Sequence, residues 1–253
     1  MAEPVPVPLR CGLARLTVVR HGESTANVRF AEAERTGSTA LPPDGPEGSD
    51  ARVPLSELGR AQARVVGRWL AGLGPADRPQ RVLCSPYVRA LQTWEFMAAE
   101  VRATEVYEPP PALVDERLRD REMGTLELYS PLAVREHAPA EAARRERVGE
   151  WFYRPPGGES LADVTVRVRD LLTELHVAAA GQRVLVVAHD AVVVTVGHAL
   201  AGLGSPVPPG RPVPNASLSR WDGDGGVLRP VAFGDTGHFR GTGDGGQPTI
   251  SCT

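Results

Sequence analysis

"RVLVVAH", residues 183–189, is an apolar run that stops on a histidine. It shows no alternation of apolar and polar residues. That pattern predicts a strand covered on both faces, as in a parallel sheet packed between helices. Two more runs read the same way, "RLTVV" at 15–19 and "RVLCS" at 81–85. The segments between them carry helical spacing. In "LGRAQARVVGRWLAGLG", 58–74, Leu58, Ala61, Val65, Val66 and Trp69 fall on one face. Ser56 serves as N-cap and Gly72 or Gly74 as stop. "SPYVRALQTWEFMAAEV", 85–101, predicts a helix with Ser85 as N-cap and Pro86 at its first position. Ser160 and Asp163 form a capping box for the next helix. "AVVVTVGHALAGLG", 191–204, ends on glycines and reads as a further helix.

Strands alternating with helices predict an α/β fold: a three-layer α/β/α sandwich with a mostly parallel central sheet. Residues 1–14 read as an extended N-terminal arm and 15–235 as a single domain. Within it, the Gly- and Pro-rich 31–53 reads as a long loop and 106–120 as an irregular excursion. Residues 130–154 read as mostly helical, and 214–235 as a hairpin turning at "DGDGG", 222–226. The Gly-rich tail, 236–253, is expected to be disordered.

The chain has 253 residues and a net charge of −3. With aromatic residues at only 5%, neither charge nor composition suits a nucleic-acid partner. All 28 basic residues are arginine, which excludes P-loop and Schiff-base lysines. Phosphate recognition therefore falls to arginine, histidine or backbone N–H groups. Cys11, Cys84 and Cys252 show no metal-ligand spacing and read as reduced thiols of a cytoplasmic protein. No segment reads as a signal peptide, and no apolar run is long enough to span a bilayer, so no membrane partner is expected.

In a parallel sheet the carboxyl ends of the strands share one edge, where ligands bind. The first strand is followed by Arg20 and His21, and the second by Cys84, Ser85 and, one helical turn on, Arg89. His189 follows the strand at 183–188. Each of these residues alone is unremarkable at a strand or helix end. Two arginines and two histidines on one rim suit a phosphoryl group, because guanidinium groups bind its oxygens bidentately. A neutral histidine whose second ring nitrogen is held by a carbonyl can attack phosphorus. Gly22 would give the backbone room to approach closely.

"LTVVRHGEST", "CSPYVRALQT" and "VLVVAH" together resemble the histidine phosphatase superfamily, in its phosphoglycerate-mutase-like branch. "PLSELGRAQA", "RPPGGESLADV" and "PNASLSRW" extend that resemblance from about residue 15 to 225, in order. It implies His21 as the nucleophile that becomes phosphohistidine, and Arg20, Arg89 and His189 as the phosphate pocket. Ser24 and Asn27 are implied as phosphate or substrate contacts. The general acid is implied in "LRDREMG", where Asp120 matches the family position with aspartate for glutamate. Glu116 and Glu122 are rivals in the same loop. A working acid there is expected to have a raised pKa from its acidic neighbours. Asp190 stands where the family often has glycine, and is read as a cap for the helix that follows.

The reaction implied is metal-independent, cofactor-free hydrolysis of a small phosphomonoester, a phosphorylated metabolite. Mutase-type phosphoryl transfer and non-catalytic phospho-ligand binding are the alternatives. The resemblance also allows a homodimer, which no residue of the sequence specifies.

Overall fold

A computed structural model describes residues 5–43 and 48–240 of the chain. The strands are β1 (Arg15–Arg20), β2 (Arg81–Cys84), β3 (Ala112–Val114), β4 (Arg183–Ala188), β5 (Leu218–Gly223) and β6 (Leu228–Asp235). They form one sheet in the order β3-β2-β4-β1-β5-β6. From β3 to β1 all pairings are parallel. The hairpin of β5 and β6 then adds two antiparallel strands beside β1.

The unbroken apolar character of β4 has its explanation in two cores. Val184, Val186 and Ala188 join Leu16 and Val18 beneath α6 (Leu161–Ala178) and α7 (Asp190–Ala201). Leu185 and Val187 face the other way, with Val19, Val82 and Cys84, against α2 (Glu57–Ala71) and α3 (Val88–Ala103). Alternate residues of one strand thus feed opposite cores, and both must be apolar. This is the expected three-layer α/β/α sandwich.

Local chemistry sets most helix ends. Ser56 Oγ accepts the Gly59 N–H at 3.0 Å, and Ser160 with Asp163 closes a capping box on α6. α4 (Pro131–His137) and α5 (Pro139–Val148) each begin on a proline, where a missing N–H costs nothing.

Four segments differ from the sequence reading. α1 (Thr25–Thr36) runs into the expected loop of 31–53, because Ser24 and Asn27 cap its start reciprocally. Gly37, with φ of 68°, ends it in the left-handed conformation. The excursion at 106–120 contains β3, an edge strand whose Leu113 and Val114 are exposed and so give no burial signal. α3 starts at Val88 with Tyr87 as its cap, leaving Ser85 and Pro86 outside the helix. Residues Gly237–Phe239 make a 3₁₀ turn, with Phe239 packed on the α2–α3 core, where a disordered tail was expected. The rest of that tail, 241–253, lies outside the described residues. At the other end, Val7 and Arg10 bridge to Leu203 and Val227, and Cys11 and Leu13 are fully buried. Among the described residues, no helix is long and apolar enough to cross a membrane.

The loop after β1 is pressed against the start of α2. A Cβ on Gly22 would sit 2.4 Å from the Gly59 carbonyl oxygen, and one on Gly59 would sit 1.9 Å from that of Glu23. Only two glycines let these backbones cross. Glu23 fastens the crossing: its N–H donates to Gln62 Oε1 at 2.8 Å and its carboxylate accepts the Ser56 hydroxyl at 2.6 Å. Gly59→Ala should therefore lower stability by about 1–3 kcal/mol, the usual range for overpacking. Urea unfolding measures this, and an unchanged midpoint would show that the two segments part freely.

Candidate active site

Sheet register builds the site. Arg20 pairs with Ala188 across β1 and β4, so His21 and His189 follow side by side. The His21 N–H donates to the Ala188 carbonyl at 2.9 Å. The two imidazoles meet edge to face with centroids 5.1 Å apart. Arg89 arrives in the first turn of α3, and Asp120 just after the 3₁₀ turn Glu116–Leu118.

His21 is 2% exposed. Its Nδ1 lies 2.7 Å from the Gly22 carbonyl oxygen, which can only accept, so Nδ1 carries the proton. Nε2 is left with its lone pair, and Arg89 Nε donates to it at 3.2 Å. Burial, then the neighbouring Arg89, His189 and Arg20, hold the ring's pKa well below the ordinary histidine value. The residue is a neutral, oriented imidazole.

His189 is wholly buried, one layer behind the cavity wall. Its Nε2 lies 2.8 Å from Ser85 Oγ. That oxygen also accepts the Tyr87 N–H, at 3.3 Å. The Ser85 hydroxyl can donate to Nε2, and the ionised Asp120 oxygen 3.2 Å from Nδ1 favours the ring proton on that side. Burial lowers the ring's pKa and keeps it neutral, against the pull of Asp120. Nδ1 lies 3.2 Å from Asp120 Oδ2, out of line for a hydrogen bond, so its N–H has no acceptor. Ser85 is a site residue that sequence reasoning missed. A serine before a proline reads as a helix cap, and only the tertiary fold turns it toward a histidine.

Asp120 accepts from Arg89 Nη2 and from the Arg121 N–H, both at 2.8 Å. Burial works to raise its pKa, but His189, Arg89 and His21 outweigh burial and hold it well below the usual carboxylate range. This corrects the expectation of a raised value: the Arg89 guanidinium and the polar imidazoles of His189 and His21 outweigh the acidic neighbours. The rivals point elsewhere. Glu122 pairs with Arg119 at 2.8 Å, Glu116 is exposed, and neither lines the cavity.

Arg89 is 3% exposed and spends every donor it has. Nε goes to His21, Nη1 to the Asp50 carbonyl and Oδ1, and Nη2 to Asp50 Oδ2 and Asp120 Oδ2. Arg20 is less committed. Its Nη1 donates to the Val213 carbonyl and its Nη2 lies 3.8 Å from Asp190, while its buried Nε has no acceptor. Asp190 is the first residue of α7, with His189 in the cap position; its Oδ1 accepts the Ala191 N–H at 2.8 Å. It faces the cavity, which corrects the capping role read from the sequence: the cap position is His189, and Asp190 is the first helical residue.

Ser24 and Asn27 also line the cavity, but their polar atoms serve α1. The Ser24 N–H and hydroxyl both donate to Asn27 Oδ1 at 3.0 Å, and Asn215 Nδ2 adds a third contact at 3.2 Å. The cavity itself encloses about 860 Å³. One nitrogen of His21, one of His189 and an oxygen of Asp120 lie within 4.8 Å of one another, a spacing that suits a metal ion. Arg89, however, donates to both His21 and Asp120, placing permanent positive charge where a cation would sit. The chemistry favoured is that of an anion: acceptorless N–H groups, guanidinium groups and an unprotonated histidine nitrogen.

A family profile described as "Histidine phosphatase superfamily (branch 1)" matches residues 16–236. The chain is 32% identical to the phosphoglycerate mutase-like protein AT74H of Arabidopsis thaliana, over 64% of this chain and 53% of that one. It is 32% identical to a 2,3-bisphosphoglycerate-dependent phosphoglycerate mutase of Methylobacterium radiotolerans, over 69% and 73%. The chain spans about half the length of the first curated relatives it matches. Among solved structures, mycobacterial glucosyl-3-phosphoglycerate phosphatase bound to VO3 superposes with a TM-score of 0.64 at 27% identity. That match covers 86% of this chain and 96% of the other.

Two measurements test this geometry. Ser85→Ala removes the donor to His189 Nε2, so nitrogen NMR should show its Nε2–H form appear; a spectrum still purely Nδ1–H would overturn the role of Ser85. Stability should also fall on acidification. In the unfolded chain both histidines take up protons as pH drops through about 6.5, while the buried neutral rings do not. Their contribution is complete above that pH and declines below it, with Asp120 adding a further loss below about pH 4. Thermal unfolding from pH 7.5 to 5 reads the trend, and a midpoint that rises toward pH 5 would contradict it.

Proposed function

Because the chain belongs to the histidine phosphatase superfamily (branch 1), we propose that it is a metal-independent phosphatase acting on a small phosphomonoester through a phosphohistidine on His21. The observation that carries this reading is the state of His21. It is buried and neutral, with Nδ1 tied to Gly22 and Nε2 unprotonated beside Arg89 and Asp120.

In the first step His21 Nε2 forms a bond to phosphorus as the ester P–O bond breaks. The leaving oxygen takes a proton from Asp120. In the second step water attacks phosphorus, the P–N bond breaks, and Asp120 recovers a proton from that water. Arg20 and Arg89 stabilise the equatorial oxygens directly, and the Nδ1–H of His189, one layer behind, adds its dipole, an electrostatic contribution. Asp120 needs a proton in step one, although the resting pocket keeps it ionised. A phosphoryl dianion supplies the correction, because an adjacent anion raises a carboxyl pKa and draws Arg89 away from it.

The cavity walls support an ester with a partly apolar alcohol portion. Phe30, Met123, Leu126, Trp151 and Phe152 line them. Of the arginines beyond the phosphate pocket, Arg121 and Arg145 share the one carboxylate of Glu150, each at 2.5 Å, so one positive charge of the three groups stays uncompensated. Arg211 stands without an acidic partner among the described residues. A mutase would place the substrate carboxylate on such a cation, so phosphate release, and not the wall, separates the two readings. On this reading the setting is the cytoplasm, where the buried Cys11 and Cys84 thiols stay reduced.

A panel of phosphorylated metabolites assayed for free phosphate tests the proposal. His21→Ala should lose roughly 10³-fold or more of the rate, as removal of a nucleophile does. The wild type should also yield an acid-labile phosphohistidine that maps to His21. Phosphoglycerate isomer exchange without phosphate release would replace the hydrolase with a mutase.

A further inference from the structure

Arg89 is the arginine that reaches the nucleophile, yet it has no donor to offer. A guanidinium has five N–H groups. Asp50 takes three of them: its carbonyl and both carboxylate oxygens accept, at 2.6, 2.9 and 2.9 Å. The paired, fork-on-fork contact is the one an oxyanion with two free oxygens would make. Asp50 also occupies the cavity side of this pair. Its side chain is 21% exposed against 4% for Arg89, and both line the cavity.

We propose that Asp50 is an internal competitor for the phosphoryl group at Arg89. It satisfies a buried cation while the pocket holds no anion, and the incoming phosphoryl group displaces it. The two cannot share the site: Asp50, Asp120 and a phosphoryl dianion would crowd like charges around one guanidinium. Asp50 belongs to the 3₁₀ turn Asp50–Arg52, and its backbone N–H is held by Glu127. A change of side-chain rotamer toward the open cavity releases all but the backbone contact to Arg89. The consequence is selectivity. A ligand with a single negative charge gains little by replacing one carboxylate with another, whereas a dianion gains contacts with Arg20 and Arg89 together.

The inference rests on the phosphatase reading for the identity of the anion, and its test is a binding measurement that needs no turnover. Calorimetric titration with inorganic phosphate compares the wild type with Asp50→Asn, and with Asp50→Ser in case the amide still occupies the fork. Removing the competitor should tighten phosphate binding about tenfold, the gain expected when the competent state is no longer a minor one. The KM for any hydrolysed ester should fall in parallel, with no rise in kcat. Unchanged or weaker phosphate binding in both variants would overturn the proposal and make Asp50 a fixed support for Arg89. If the wild type then still hydrolyses esters, the competitor alone has failed and the phosphatase reading stands.

Discussion

The Arg89 guanidinium, 3% exposed, ties together the nucleophile, the acid and the segment that carries Asp50. A buried cation without an anion costs on the order of several kcal/mol, so the pocket has to hold negative charge whether or not a substrate is bound. That requirement keeps Asp120 ionised and brings Asp50 inward. The same positive charge helps keep His21 neutral, which a nucleophile needs. One permanent charge thus sets the resting protonation of the whole site.

The sheet makes this possible by its order. β1 and β4 are neighbours in space and far apart in the chain, and the strand direction changes on the far side of β1. Two histidines emerge from adjacent parallel strands at one edge, a placement helical or antiparallel structure would not supply. The hairpin contributes as well: the Ala216 N–H and Asn215 Nδ2 reach the His21 carbonyl, at 3.0 and 3.3 Å, and fix the backbone from which the ring projects.

The parts of the fold legible in the sequence are those governed by local chemistry or by two-sided burial. Strands β1, β2 and β4 could be read because both faces are apolar, and α2 and α6 because serine caps open them. β3 could not, since an exposed three-residue edge strand carries no periodic signal. α1 was not read as a helix, because the Gly and Pro of 31–53 marked a loop over its second half. In the site, the positions of Arg20, His21, Arg89 and His189 follow from strand ends and motif order. The protonation of Asp120 does not, because it depends on three cationic or polar neighbours brought from other elements. Nor does the place of Asp50: nothing within "EGSDARV" announces that an aspartate there will meet an arginine thirty-nine residues on.

The pairing of β1 with β4 also has a consequence for how the chain acquires its shape. During synthesis the strand bearing His21 emerges well before its parallel neighbour, with β2 and β3 made between them. Long-range parallel pairing of this kind raises contact order and slows folding. Until β4 inserts between β2 and β1, the nucleophile has no histidine beside it and Arg89 no fixed distance to it. Chemical competence therefore arrives with the closing of the sheet, and a nascent or truncated chain ending before β4 would carry the RHG motif without a site around it.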